Sequence, residues 1–333
     1  MSDRKKDHIE LAFSSKLNEG LADGRFIYEP LLGSHLGEEI QPVEFLGKIL
    51  RVPMWVSSMT GGTAEARTIN SNLARACNEF GMGMGLGSCR ILFENDDHFD
   101  DFNMRGLIGN DLPLYANIGI AQLENMLIDN TYPILERLVD RLRADGLIVH
   151  VNPIQEWLQT EGDLLRFPPI EAIEKLLSLT KLKIIVKEVG QGMGPESIAR
   201  LMQLPIEALE LAAFGGTNFA MVELSRSSVQ KHDLYLPMAM IGHNATEMLE
   251  VINQIAGSGK PFLCKQIIIS GGIRSFLDGY YYISKCRLSS VFGQAANFLH
   301  YARGDYKDLQ LFIIDQIKGL KFAQAFLKPK TGL

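Results

Sequence analysis

The sequence predicts an α/β protein folded as a (β/α)8 TIM barrel, on three observations. Eight short apolar runs recur along the chain, each followed by Gly or polar residues and then a stretch of helical periodicity. The runs are continuously apolar rather than alternating, as strands buried on both faces require. Such strands alternating with helices imply parallel βαβ units, and eight of them close a barrel. A doubly wound sheet uses the same alternation, but its G-x-G-x-x-G fingerprint is missing after the first run, where Ser57 to Thr63 read SSMTGGT.

The runs are Pro53–Ser57, Gly83–Gly87, Leu114–Ile118 and Leu147–Val151, then Ile184–Val189, Ala208–Ala213, Gln266–Ser270 and Leu288–Phe292. Between them, Ile134, Leu135, Leu138, Val139 and Leu142 form an apolar stripe opposite Glu136, Arg137, Asp140 and Arg141, which predicts an amphipathic helix. Pro168–Leu179 and Phe276–Ser284 have the same pattern. Gly215–Phe262, between strands six and seven, is longer than one crossover needs and predicts a helical insertion of two helices, one around Ala245–Ile255. Residues 1–50 precede the first strand and are expected to form an N-terminal capping segment; 51–300 make the barrel. Residues 301–333 carry a C-terminal helix, with Ile313, Ile317 and Leu320 on one face of Leu309–Leu327. No linker divides the chain, so 1–333 read as a single domain.

A content of 46% hydrophobic and 22% charged residues suits a large core, and a net charge of -6 argues against a broad nucleic-acid or anionic-membrane surface. It leaves room for a phosphate site, which needs only local cations and backbone donors. Cys77, Cys89, Cys264 and Cys286 form no Cys-x-x-Cys pair and no metal spacing, which fits a reduced setting. The N-terminus is charged without an apolar signal core, and no apolar run approaches the roughly 18 residues of a membrane span. A soluble, cytoplasmic protein is expected, with no nucleic-acid and no membrane partner.

In a barrel, chemistry collects at the carboxyl ends of the strands. Those ends read Ser58-Met59-Thr60-Gly61-Gly62, Gly87-Ser88-Cys89-Arg90, Ala116-Asn117-Ile118-Gly119 and His150-Val151-Asn152. They continue as Lys187-Glu188-Val189-Gly190, Gly215-Gly216-Thr217, Ser270-Gly271-Gly272-Ile273-Arg274 and Gly293-Gln294-Ala295. The last two follow strands seven and eight, where barrels often hold a phosphate: glycines admit backbone N–H groups to the oxygens, and a helix N-terminus adds a favourable dipole. Lys187, flanked by apolar residues, is costly to bury unless it meets an anion, either a ligand or a carboxylate such as Glu188. Arg90 stands at a strand end as an anion candidate, with a salt bridge to the acids of Glu94–Asp101 as the alternative. Glu156 suits Mg2+, which takes one or two carboxylates plus substrate phosphates, though a loop Glu is more often simply solvated. Arg4, Lys5 and His8 make either a diphosphate clamp or a solvated tail.

Taken together, the motifs resemble those of the type 2, FMN-dependent isopentenyl diphosphate isomerases. They are RKKDHIELA at Arg4–Ala12, MTGG at Met59–Gly62, GLGSCR at Gly85–Arg90 and ANIG at Ala116–Gly119. HVNPIQE at His150–Glu156 follows with EGD at Glu161–Asp163, then VKEVGQGM at Val186–Met193, GGTNFAMVE at Gly215–Glu223 and SGGIR at Ser270–Arg274. The resemblance implies that FMN meets Met59, Thr60, Ser88, Asn117, Lys187, Thr217, Gly271, Gly272 and the Gln294-Ala295 turn, with Ser58 and Arg274 at the same strand ends. It implies a substrate diphosphate at Arg4, Lys5, His8, Arg90, His150 and Asn152, Gln155 beside the isoprene unit as the catalytic side chain, and Mg2+ on Glu156. NADPH or NADH would reduce the flavin beforehand, and the assembly would be a homo-tetramer or octamer. Three departures stand out: Cys89 where Gln or Met is usual, Thr160 where Pro is usual, and bulky Tyr280, Tyr281 and Tyr282 where small residues are common.

The implied reaction is a 1,3-proton shift in isoprenoid biosynthesis without net redox change. Gln155 is a neutral amide and no strong base, so the resemblance points to reduced flavin as proton donor and acceptor. Two rival readings remain at this level. An FMN-dependent 2-hydroxy-acid oxidase would want a His base near the end of strand seven, which Ser270–Arg274 lacks. A non-catalytic flavin or phosphate-binding module needs no turnover at all, but the polar crowding at the strand ends favours an enzyme.

Overall fold

Runs that are apolar on both faces must be covered from both sides, and a closed ring sheathed by helices does this without leaving an open edge. The computed structural model describes residues 2–35, 39–58 and 60–330. Its strands are β1 (Phe26–Tyr28), β2 (Val43–Phe45), β3 (Lys48–Leu50), β4 (Met54–Val56), β5 (Gly83–Gly85) and β6 (Leu114–Gly119). They continue as β7 (Gly146–Val151), β8 (Ile184–Glu188), β9 (Ala208–Glu210), β10 (Gln266–Ile269), β11 (Ser289–Gln294) and β12 (Leu327–Pro329). Strands β4 to β11 form the closed barrel; β11 returns to β4 through Phe292↔Met54, Gly293↔Trp55 and Gln294↔Val56. All eight apolar runs thus become barrel strands. The last differs in extent: it starts at Ser289 and continues through Gln294, so Gly293 and Gln294 lie within the strand rather than after it.

The predicted amphipathic segments are helices at Pro133–Leu142, Pro169–Leu179, Phe276–Lys285 and Tyr306–Phe326. The stretch between β9 and β10 departs from expectation: it holds three helices, Phe219–Ser225, Val229–Ala239 and Ala245–Gly257, not two. Asn218, Ser228 and Asn244 cap their amino ends with side-chain acceptors. The middle helix buries only Ala239, so its sequence shows no apolar stripe to announce it.

The amino end of the barrel is closed by the β2–β3 hairpin. Leu46 and Gly47 both take positive φ (53° and 72°), as a tight two-residue hairpin turn requires. The Leu46 N–H donates to Gln266 Oε1 at 2.7 Å, at the start of β10. Lys48 Nζ donates to the Asn110 and Leu112 carbonyls and pairs with Asp145 at 2.6 Å. Buried Arg105 joins the same carboxylate at 2.7 Å. Elsewhere, β1 pairs with β12 near the end of the chain. Phe26 stacks on Tyr280 and meets Tyr281 edge-on, the Tyr280 hydroxyl donates to the Leu327 carbonyl, and Arg25 pairs with Asp278 at 2.7 Å. Tyr280 and Tyr281 are therefore the seat of the β1–β12 ribbon. Among the described residues no helix is long and apolar enough to cross a membrane.

Candidate active site

Parallel strands point their carboxyl ends the same way, so the loops that follow them converge. There a cavity of about 370 Å3 opens between the ends of β4, β8, β9, β10 and β11. Ser58, Lys187, Thr217, Gly271, Gly272, Arg274, Gln294 and Ala295, all singled out from the sequence, line it. Gly271 has φ +87°, and a Cβ there would overlap the Ala213 backbone; at Gly216 a Cβ would stand 2.9 Å from the Gly272 nitrogen. These loops approach each other only because side chains are absent. Ser57 Oγ, Ser58 Oγ, Glu210 Oε2 and Gln294 Oε1 are buried without a hydrogen-bond partner, and all four residues line the cavity. Buried polar atoms are normally paired, so a cluster of orphans marks a place that takes its partners from a ligand or ordered water.

Lys187 is 7% exposed, and its Nζ donates to the Glu188 carbonyl at 2.8 Å. The alternative of an ion pair with the Glu188 carboxylate does not form: that group accepts from the backbone N–H of Gly190, Gln191 and Gly192 at 2.6, 2.7 and 2.9 Å. Alternation along β8 turns Lys187 into the barrel and Glu188 outward, against a second cavity walled by Ile170, Ile173 and Leu201.

A polar network sits beside the cavity at the ends of β6 and β7. Asn117 donates to the Leu86 carbonyl at 3.0 Å, so its Oδ1 faces His150 Nδ1 at 2.8 Å. Burial, reinforced by the Lys187 charge, pushes His150 down to about 3, leaving the imidazole neutral. Asn152 Nδ2 donates to Gln155 Oε1 and Glu156 Oε1, both at 3.0 Å, and Asn152 Oδ1 is an orphan. Glu156 Oε2 accepts the Asp163 N–H at 3.1 Å, while Gln122 holds the Asp163 side chain at 3.3 Å. The Glu161–Asp163 loop is thus fixed by carboxylate and amide contacts although Thr160 stands in place of a Pro.

Two groups escaped the sequence reading. Glu223, 8% exposed on the insertion's first helix, accepts from Gln155 Nε2 at 3.2 Å and Gln159 Nε2 at 3.0 Å, which orients the Gln155 amide. Glu210, fully buried at the end of β9, accepts the Ser270 hydroxyl at 3.0 Å. The advance signals were a carboxylate inside an otherwise apolar run for Glu210 and the last position of the GGTNFAMVE motif for Glu223.

The remaining expected residues stand apart from the cavity lining. Thr60 is half-buried, its carbonyl held by Asn70, and Ser88 is exposed. Met59 lies outside the described residues. Arg90 is exposed and makes no ion pair among the described residues; of the nearby acids, Asp96 pairs with Arg141, Asp100 with Arg67 and Asp101 with His98. Arg4, Lys5 and His8 lie on the exposed helix Ser2–Leu11 and, among the described residues, form no ion pair or hydrogen bond with the strand ends. Cys89 is buried, its thiol pushed up to about 12 by desolvation, so it fills space rather than reacting. No cluster of three metal-ligating side chains occurs among the described residues.

No protein-family model matches the chain. It is 34% identical over 324 residues, 95% of its length and 91% of the relative's, to an isopentenyl-diphosphate delta-isomerase of Rickettsia akari. A relative of the same name from Rickettsia typhi is 32% identical over 89% of this chain and 85% of its own. The chain belongs to the isopentenyl-diphosphate delta-isomerase family. Its barrel also resembles a flavocytochrome b2 variant with sulfite bound (TM-score 0.61, 14% identity, 90% of this chain and 72% of that one). A mandelate oxidase variant with a monooxide FMN adduct is similar too (TM-score 0.56, 14% identity, 92% and 88%). At such identity the likeness to these two establishes the shared barrel alone, whereas the delta-isomerase relatives establish the family.

Proposed function

We propose that this chain interconverts isopentenyl diphosphate and dimethylallyl diphosphate as a type 2 isomerase, using FMN and Mg2+, with NADPH or NADH as the flavin's reductant. The observation that carries the reading is the strand-end cavity, where a buried cation, glycine-lined loops and four orphaned polar atoms meet. Its volume falls in the range of about 300–1,000 Å3 usual for small-molecule sites. The residues fit a phosphorylated flavin: Gly271, Gly272, Gln294 and Ala295 would hold the phosphate. Ser58, Thr217, Arg274 and Lys187 would meet the remaining polar atoms, with Met59, Thr60, Ser88 and Asn117 completing the set. When bound and reduced, FMN supplies proton donor and acceptor chemistry for the 1,3-shift.

The chain's own groups bind, orient and exclude water. Gln155, its amide fixed by Asn152 and Glu223, would lie along the isoprene unit. Each Glu156 oxygen accepts one hydrogen bond and keeps a lone pair, which suits Mg2+ shared with the substrate diphosphate. Arg90, free of any ion pair among the described residues, would reach the diphosphate with Asn152 and neutral His150. Arg4, Lys5 and His8 would close over it when the exposed helix docks. Assembly as a homo-tetramer or octamer in the cytoplasm belongs to the same reading.

The test is an anaerobic assay of the flavin-loaded protein with isopentenyl diphosphate and Mg2+, scored by formation of the allylic isomer. Turnover by photoreduced but not by oxidised protein is expected. Equal rates in both forms, or a colourless protein that takes up no FMN, would sink the reading.

A further inference from the structure

The Pro153–Leu158 helix carries both Gln155 and Glu156, yet it has only six residues. A helix of that length is marginal on its own, so what it packs against decides where its side chains stand. Its apolar residues Ile154 and Leu158 pack outside the barrel core, in a separate cluster. Their neighbours there are Ala220 and Leu224 of the insertion's first helix and Ala239 of its second. Trp157 meets Tyr235 of that second helix edge-on, with ring centroids 4.8 Å apart.

A lysine from the insertion closes the carboxyl end of this helix. Lys231 Nζ donates to the Leu158 carbonyl at 2.6 Å, across 73 residues of chain. The last carbonyls of a helix have no partner within it, and a cation there also meets the negative end of the helix dipole. The place of Lys231 in its own helix makes the residue type informative. Ser228 caps Val229–Ala239 by accepting the Lys231 N–H at 3.3 Å, so Lys231 stands in the first turn, where a positive charge is disfavoured. A lysine set against the preference of its own helix and bonded to the end of another serves the second one.

We propose that Lys231 is a positioning residue for the isomerisation: it caps the Pro153–Leu158 helix and pins it to the insertion, fixing where Gln155 and Glu156 stand beside the strand-end cavity. This deepens the reading above and rests on it for its functional meaning. Glu223 reaches the Gln155 amide, whereas Lys231 holds the backbone that carries both side chains.

The test uses the full-length, flavin-loaded protein and Lys231→Met, which keeps the apolar stem and removes the donor. Lys231 is half-buried and lies outside the barrel core, so the fold stands without its charge. The kcat for isopentenyl diphosphate should fall about tenfold, and the Mg2+ concentration for half-maximal activity should rise, because Gln155 and Glu156 move together. FMN affinity should stay unchanged, since neither Lys231 nor the Pro153–Leu158 helix lines the cavity. Lys231→Arg keeps a cationic donor and should recover most of the loss. Wild-type kcat and Mg2+ requirement in Lys231→Met overturn the proposal, as does a loss that Lys231→Arg leaves in place. A second measurement needs no turnover. The Gln159 N–H, which donates to the Gln155 carbonyl at 3.0 Å, should exchange with deuterium about tenfold faster in Lys231→Met while the barrel strands keep their rates. Unaltered exchange at Gln159 overturns the pinning. Faster exchange in a protein that does not isomerise isopentenyl diphosphate upholds the pinning and removes the functional reading instead.

Discussion

Asn117 Oδ1 and His150 Nδ1 lie 2.8 Å apart, and because the Asn117 amide nitrogen is committed to the Leu86 carbonyl, the imidazole must donate from Nδ1. Its other nitrogen, Nε2, then carries the lone pair. A neutral, oriented imidazole between Asn117 and Lys187 presents an acceptor at the strand ends without adding charge.

This arrangement makes stability sensitive to acid. The folded His150 holds its pKa near 3, against 6.5 for the free side chain, so between those values the unfolded chain takes up a proton that the native one refuses. Stability should be full above pH 6.5 and decline as pH falls toward about 3. His150→Asn should flatten that part of the profile, measured as urea midpoints against pH. Parallel curves for the two proteins would refute the depressed pKa.

Glu156→Gln should fold normally but lower turnover by about 10–100-fold and raise the Mg2+ concentration needed for half-maximal activity. The amide still accepts one hydrogen bond, yet it lacks the charge a hard cation wants and cannot serve both Asn152 and Asp163. Titrating activity with Mg2+ checks this; an unaltered Mg2+ requirement would acquit Glu156 of metal binding.

Two glycines in left-handed backbone separate strain from crowding. Gly259 has φ +72° with open space where a Cβ would go, so Gly259→Ala should cost about 1–2 kcal/mol of stability from backbone strain alone. Gly271 has φ +87° and a Cβ there meets the Ala213 backbone, so Gly271→Ala should add overpacking of about 1–3 kcal/mol. Chemical denaturation of both variants gives the difference. Equal costs would mean that the β9 and β10 loops are less tightly apposed than described.

At the opposite end of the barrel, Arg105→Met should destabilise by about 3–5 kcal/mol, because Asp145 and the Gly109 and Leu112 carbonyls lose a buried partner. Burial alone would raise the Asp145 pKa, but Lys48, the Leu114 N–H and Arg105 outweigh it and hold the carboxyl low. This part of the stability is present above the usual carboxylate pKa and is lost as pH falls through the lower folded value. Unfolding of Arg105→Met should therefore depend less steeply on acid, while ligand affinity at the other end stays unchanged.

The barrel was legible because strands buried on both faces write unbroken apolar runs. Lys187 and the Ser270–Arg274 turn were legible because a cation or a Gly pair is conspicuous beside such a run. The Val229–Ala239 helix was hidden because it buries one alanine and has no stripe. The β2–β3 hairpin was hidden because six paired residues are too few to show a period. Glu210 and Glu223 were passed over for another reason: their importance lies in which side chains the folded chain sets beside them, namely Ser270 and Gln155, and that is a long-range fact.

Strand β8 also ties two tasks to a single residue step. Lys187 faces the interior while its neighbour fastens the loop that follows, so shifting the strand by one position would send the carboxylate to the ligand and leave the loop unbuttoned. Register errors here are punished twice, whatever substrate the barrel comes to serve.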